Sequence, residues 1–226
     1  MFNNCLVCDN LFNSDHHFSD LIWPNFNNNP LCQECRNKIE LLSGEKCEDC
    51  GRVTSEKICQ DCLYWRKKFD FSLSNHSLIC YNDWMKKFMH QYKFVGDYRL
   101  RLAFLEKLSD KFKNTIIKSD FVIPIPISKK TLQIRGFNQV TGLFDFAKSR
   151  MSTKILQVRP KEQLSKLNRR QRLKKENLFY LTGSSIENKS VLLLDDVYTT
   201  GTTLHQAAAV LYEAGEKKVN SITLAR

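Results

Sequence analysis

Apolar positions recur along this chain with two different periods, and the switches between them mark out its elements. From Asn82 onward, Met85, Phe88, Met89 and Tyr92 fall three and four residues apart, which predicts an amphipathic helix capped by Asn82 or Asp83. Gly96 and Asp97 mark a turn, and Tyr98, Leu102, Leu105, Leu108 and Phe112 then share one face of a second helix. DFVIPIPIS, residues 120–128, is a solid apolar run of the kind found in strands buried on both faces. Its prolines belong near the strand end, where no ladder donor is needed. KKTLQIRGFNQ reads as a loop, Val140 to Phe146 returns to helical spacing, and KILQV reads as a short strand. VLLLD at 191–195 is a second buried strand, Thr203 to Ala214 a helix closed by Gly215, and VNSITLA a final strand. Strands alternating with helices predict an α/β domain with a mainly parallel sheet flanked by helices.

The front of the chain follows neither period. Its order comes from cysteine: eight of nine cysteines form the pairs Cys5/Cys8, Cys32/Cys35, Cys47/Cys50 and Cys59/Cys62. Two residues between cysteines let both thiolates of a turn face one ion, and two such turns supply the four tetrahedral ligands of zinc. Sequential pairing puts Cys47, Cys50, Cys59 and Cys62 on one ion and Cys5, Cys8, Cys32 and Cys35 on another, with a cross-braced partition left open. Closed four-cysteine sites are structural, and metal binding can replace a hydrophobic core in so short a segment. His16 and His17 read as loop residues, and Cys80 as a small buried hydrophobe. Composition changes after Cys62, so the reading divides the chain into a double zinc ribbon, 1–66, and a second domain, 67–226.

Charge and hydropathy narrow the setting. Lys and Arg total 35 against 24 acids, a formal charge of +11, which favours anionic partners. There is no apolar run approaching the roughly 20 residues needed to span a bilayer and no secretion signal, so the expectation is a cytoplasmic chain without membrane insertion. The basic segment 159–175 reads as a mobile loop.

Candidate chemistry concentrates in VLLLDDVYTTGTTL, residues 191–204. Ligands of parallel sheets gather at the carboxyl ends of strands. A turn between such a strand and a helix aims backbone N–H groups and the positive end of the helix dipole at one point, which suits a phosphate. Gly201 permits close approach, and Thr199, Thr200, Thr202 and Thr203 add hydroxyl donors. Asp195 and Asp196 can accept hydrogen bonds from vicinal sugar hydroxyls, so the pair and turn together describe a ribose 5-phosphate. The turn lacks both the Lys of a P-loop and the three glycines of a dinucleotide fingerprint.

An aliphatic strand, two acids, three residues and Gly-Xaa-Thr resemble the signature of type I phosphoribosyltransferases. That resemblance implies that Asp195 and Asp196 hold the ribose hydroxyls of phosphoribosyl pyrophosphate and that Thr199 to Thr203 wrap its 5-phosphate. Lys129, Lys130 and Arg135 fall in the loop that contacts pyrophosphate, which the superfamily binds with magnesium. Arg169, Arg170 and Arg172 fall in its flexible closing loop. VIPIPISKKTLQIRGFNQ, the pattern Gln163, Leu164, Arg169, Arg172, Asn177 and Phe179, and the paired cysteines resemble the ComF competence proteins over nearly the whole chain. This narrower resemblance implies a role in natural transformation, in uptake of single-stranded DNA alongside a helicase-like ATPase. Thr199 stands where purine-salvage members carry an acid and cannot serve as a general base. Transfer to an unidentified acceptor, noncatalytic sensing of phosphoribosyl pyrophosphate and a DNA-uptake adaptor are the three roles the residues allow.

Eight paired thiolates should bind two zinc ions per chain. Elemental analysis after anaerobic purification checks this, and one equivalent or none would remove the double-ribbon reading.

Overall fold

The computed structural model describes residues 2–13, 30–159, 177–183 and 187–226. His16, His17, the Asn-rich run and the basic segment with Gln163, Leu164, Arg169, Arg170 and Arg172 lie outside the described residues. So the expectation of a mobile basic loop falls on undescribed sequence.

The front segment is built from short pieces set around its paired cysteines. Strands β1 (Phe2–Asn4) and β2 (Leu11–Asn13) pair antiparallel on either side of Cys5 and Cys8. Helix α1 (Gln33–Asn37) starts at Cys32 and buries Cys35. Helix α2 (Gln60–Phe69) starts at Cys59, buries Cys62 and Trp65, and ends on Asp70 in the left-handed conformation. Residue 66, the expected boundary, lies inside α2.

Strand β3 (Ser74–Ile79) follows, and the sequence pattern gave no sign of it. Its inward positions Asn75 and Ser77 are polar, and they are satisfied by hydrogen bonds to one another (2.9 Å) and from Ser77 to Thr223 (2.6 Å). Alternating polarity was therefore a poor guide, because a polar network takes the place of apolar packing on this strand.

Helix α3 (Asp83–His90) is capped by Asn82, whose side chain accepts from the amide of Met85 at 2.9 Å. It runs on into a π-turn, Gln91–Val95, which Gly96 ends at φ +82°. The second expected helix is split: a 3₁₀ turn covers Tyr98–Ala103 and α4 covers Leu105–Lys118. Between them, Phe104 leaves helical geometry and turns its ring into the core, 5.0 Å from Phe88. Strand β4 is Phe121–Pro124.

The expected KKTLQIRGFNQ loop is instead a helix, α5 (Lys129–Arg135). Ser128 caps it by accepting from the Thr131 amide at 3.1 Å, and Gly136 ends it at φ +82°. None of its residues is fully buried, so no apolar stripe announced it. Helix α6 (Gln139–Leu143), with Asn138 as cap, leads into a 3₁₀ turn over Asp145–Arg150. Strands β5 (Leu156–Val158) and β6 (Phe179–Leu181) pair antiparallel. Strand β7 (Ser190–Val197), helix α7 (Thr202–Glu213) and strand β8 (Lys218–Ala225) complete the described chain.

Strands β3, β8, β7 and β4 form one sheet in that order, every neighbouring pair parallel. Strands β4 and β7 bury both faces, which explains their solid apolar runs. Val122, Leu192, Leu194, Ile222 and Leu224 face a layer containing Met85, Phe88, Leu108 and Val140, and Cys5, Cys32 and Cys35 join this layer. Ile123, Val191, Leu193 and Val219 face Leu204, Ala207, Ala208 and Leu211 of α7, and Cys47, Cys50, Cys59 and Cys62 join there. The two cysteine groups thus lie in opposite layers of one helix–sheet–helix architecture. No helix among the described residues is long and apolar enough to cross a membrane.

Candidate functional site

Parallel strands bring their carboxyl ends to one edge of the sheet, and β7 delivers Asp195 and Asp196 there, 7% and 4% exposed. Asp195 Oδ1 accepts the Asp196 amide at 2.9 Å. Burial, and secondly the neighbouring Asp196 charge, push the Asp195 carboxyl up to about 8. Asp196 Oδ1 pairs with Lys93 Nζ at 2.8 Å. Its Oδ2 is buried and finds no partner among the described residues, so an acceptor stands ready at the strand end.

Lys93 reaches this place because the π-turn departs from the α-helical repeat of α3; such bulges recur at functional sites. Its carbonyl accepts from Arg135 Nε at 2.9 Å, and Arg135 also hydrogen-bonds the Gln139 side-chain oxygen. The apolar spacing that ends at Tyr92 gave Lys93 no distinction from a solvated lysine, and that is why sequence reasoning missed it.

After β7 the chain turns sharply, and four successive carbonyls are tied down. Arg226 donates to Tyr198 O at 3.2 Å and to Thr199 O at 2.6 Å. Trp65 Nε1 donates to Thr200 O at 2.8 Å. Gly201 O accepts the His205 amide and lies 2.9 Å from His205 Nδ1. In a planar trans peptide the C=O and the next N–H point in opposite directions. Anchoring carbonyls 198–201 therefore turns the amides of 199–202 away from Arg226, Trp65 and His205 at the start of α7, where the Thr202 amide donates to Thr200 Oγ1 at 3.4 Å. Gly201 is required twice: it sits at φ +81°, and a Cβ there would strike the Tyr198 ring. His205 is buried, and its desolvation lowers its affinity for protons. That keeps the ring neutral, so Nδ1–H can donate to Gly201 O.

A cleft of about 400 Å³ opens in front of the acids. Asp195, Asp196, Thr199 and Thr203 line it, together with Lys93, Ser128, Thr131 and Gln139, residues the sequence did not single out. Thr200, Gly201 and Thr202 join Asp195, Thr199 and Thr203 around a smaller recess in the turn. Arg135 stands behind Lys93 rather than in the cleft lining. Lys129 and Lys130 are exposed on the first turn of α5 and also stay out of the lining. The same helix places Ser128 and Thr131 in it.

The ligand atoms of Cys5, Cys8, Cys32 and Cys35 lie within 4.8 Å of one another, as do those of Cys47, Cys50, Cys59 and Cys62. Cys8–Cys32 and Cys50–Cys59 are each 3.6 Å apart between sulfurs. A tetrahedron with Zn–S of about 2.3 Å has edges of about 3.8 Å, so both groups fit zinc. The Cys59 amide donates to Cys47 Sγ at 3.3 Å and Arg226 to Cys50 Sγ at 3.1 Å, outer contacts that favour thiolate. Hydrogen bonding to Cys62 brings Cys50 down to about 4, opposed by burial and aided by Arg226. Four cysteines leave no open position, so zinc here would hold the fold.

A phosphoribosyl transferase domain family matches residues 142–226. Competence protein ComFC of Streptococcus pneumoniae is 34% identical over 222 residues, covering 98% of this chain and 99% of that protein. Competence protein ComFC of Bacillus subtilis is 36% identical over 230 residues, covering 98% of this chain and 94% of that protein. Competence protein F of Haemophilus influenzae is 26% identical over 210 residues, covering 88% and 91%. With a buried acid pair, an amide-lined turn and two cysteine groups on a phosphoribosyltransferase-type sheet, the chain belongs to the ComFC family of competence proteins.

Proposed function

We propose that the chain acts in uptake of single-stranded DNA during natural transformation, through a domain that binds phosphoribosyl pyrophosphate. The observation that carries the ligand is the Asp196 oxygen left without a described partner beside the amide-lined turn. In the reading proposed here, Asp195 and Asp196 receive the ribose 2- and 3-hydroxyls and residues 199–203 receive the 5-phosphate. Lys93 neutralises one acid and faces the leaving pyrophosphate together with Ser128 and Thr131. Magnesium would arrive with the pyrophosphate and offset its charge.

The division of labour follows the chain. The parallel sheet holds the ligand, while the described cysteine-bearing part of the front end presents a surface to a helicase-like ATPase. A net charge of +11 supports contact with DNA phosphates. Tagged protein should therefore co-purify with the ATPase of the uptake machinery. Single-stranded DNA should bind it weakly, with affinity falling steeply as salt rises. No co-purification, together with no DNA binding at low salt, removes this part of the proposal.

A second reading, transfer of the phosphoribosyl group to an acceptor, has one observation in its favour. The cleft continues beyond the acids to Tyr81, Leu178 and Phe179, a partly apolar wall on which a ring can pack. Release of pyrophosphate in the presence of a panel of bases tests it.

Replacing Asp195 and Asp196 by Ala should nearly abolish phosphoribosyl pyrophosphate binding by calorimetry. A charged hydrogen bond to Asp196 contributes roughly 1.5–3 kcal/mol and a neutral one to the protonated Asp195 roughly 0.5–1.5 kcal/mol, so losing both costs about 2–4.5 kcal/mol. That is on the order of a hundredfold in affinity. An unchanged dissociation constant would leave the turn as a helix cap.

Asp195 also gives a pH signature. Its folded affinity for protons is raised from the ordinary 3.8 to about 8, so the folded state holds a proton that the unfolded chain releases between those values. Stability should therefore fall as pH rises from about 4 to about 8. Asp195→Asn should flatten that fall and melt above the parent at pH 8. Parallel melting curves for the two proteins across this window would contradict the buried, protonated acid.

A further inference from the structure

The second cysteine group and the amide-lined turn share a wall. Cys50 Sγ is 3.1 Å from Arg226, and the same guanidinium holds Tyr198 O and Thr199 O. Its carbon lies 4.5 Å from the centre of the Tyr198 ring, the ring that fills the space beneath Gly201. Trp65, three residues after Cys62, adds the bond to Thr200 O and stacks on His205 with ring centres 4.7 Å apart at 16°. His205 in turn holds Gly201 O. Every one of the four anchored carbonyls is thus reached either from α2, from the arginine that touches Cys50, or from a ring stacked on Trp65.

We propose that the Cys47/Cys50/Cys59/Cys62 group is the rear support of the phosphate turn, so that metal occupancy there and ribose-phosphate affinity are coupled. The coupling rests on the ribose-phosphate reading above and adds a direction to it. A metal-bound thiolate keeps negative charge and a fixed position, so it offers Arg226 a charge-assisted partner. With the metal removed, the knuckles around Cys50 and α2 lose the bonds that position them. Arg226 and Trp65 then hold the turn less firmly, and amides 199–202 lose their common aim. A site whose donors must be ordered at the moment of binding pays that ordering from its affinity. The effect must run both ways, because two sites coupled in binding free energy change each other by the same factor.

The other cysteine group supplies an internal comparison. Cys5, Cys32 and Cys35 pack in the opposite layer of the sheet, with Trp84 beside Cys35. None of the bonds to carbonyls 198–201 described above comes from that layer. Its metal should be indifferent to the ligand.

The test uses the full chain loaded with two zinc ions, with ribose 5-phosphate as the probe. Arg226→Gln should keep both metals yet bind ribose 5-phosphate about tenfold more weakly, an ordinary size for coupling between sites. Arg226→Lys should recover part of the loss, and Trp65→Phe should weaken binding to a similar extent. Trp84→Phe should bind as the parent does. In equilibrium competition with a chelator, saturating ribose 5-phosphate should raise the zinc affinity of one site and leave the other unmoved. Full affinity in Arg226→Gln, or zinc affinities indifferent to the ligand while calorimetry shows that it binds, would overturn the coupling alone. Absence of ribose 5-phosphate binding to the parent protein would overturn the ribose-phosphate reading and the coupling with it.

Discussion

Two adjacent carboxylates buried at the end of a parallel strand are the constraint around which this molecule is arranged. Removing such charges from water is costly, and proteins offset the cost by pairing, by hydrogen bonding or by keeping a proton. All three occur here. Asp196 takes Lys93 at 2.8 Å, Asp195 takes the following amide at 2.9 Å, and Asp195 holds its proton up to about 8. One oxygen of Asp196 is still left without a described partner. A strand end carrying that residual demand is poised for a hydroxyl-bearing ligand, and the neighbouring turn supplies donors for an anion.

The elements around the pair follow from this need. The π-turn after α3 breaks helical register and so brings Lys93 inward. The capped helix α5 brings Ser128 and Thr131 to the opposite wall. Behind the turn, Trp65 and Arg226 hold the carbonyls, and both belong to the region that the second cysteine group organises. A front segment with little apolar core of its own can do this once metal is bound, because metal–thiolate bonds would fix its geometry without one.

Much of this was legible in the residues. Solid apolar runs named β4 and β7 as buried strands, and three- and four-residue spacing named α3 and α7. The Asp-Asp and Gly-Thr-Thr grouping marked the strand end and turn that line the cleft and its recess. What escaped notice escaped for physical reasons. Strand β3 buries Asn75 and Ser77 in a polar network, so its pattern was not apolar. Helix α5 buries no residue completely and looked like a loop. Lys93 and Arg226 gain their roles only when distant segments meet. An arginine that bonds both a thiolate and two backbone carbonyls leaves no periodic trace in sequence. Lys129 and Lys130 were conspicuous as charges, yet the cap on α5 turns Ser128 and Thr131 toward the cleft in their place.

The most direct measurement is a crystal structure of the chain with phosphoribosyl pyrophosphate and magnesium. The expected density places both ribose hydroxyls on Asp195 and Asp196 and the 5-phosphate within hydrogen-bonding distance of amides 199–202, with Trp65 and Arg226 still on their carbonyls. A 5-phosphate seated elsewhere, with the acid pair unengaged, would contradict the account.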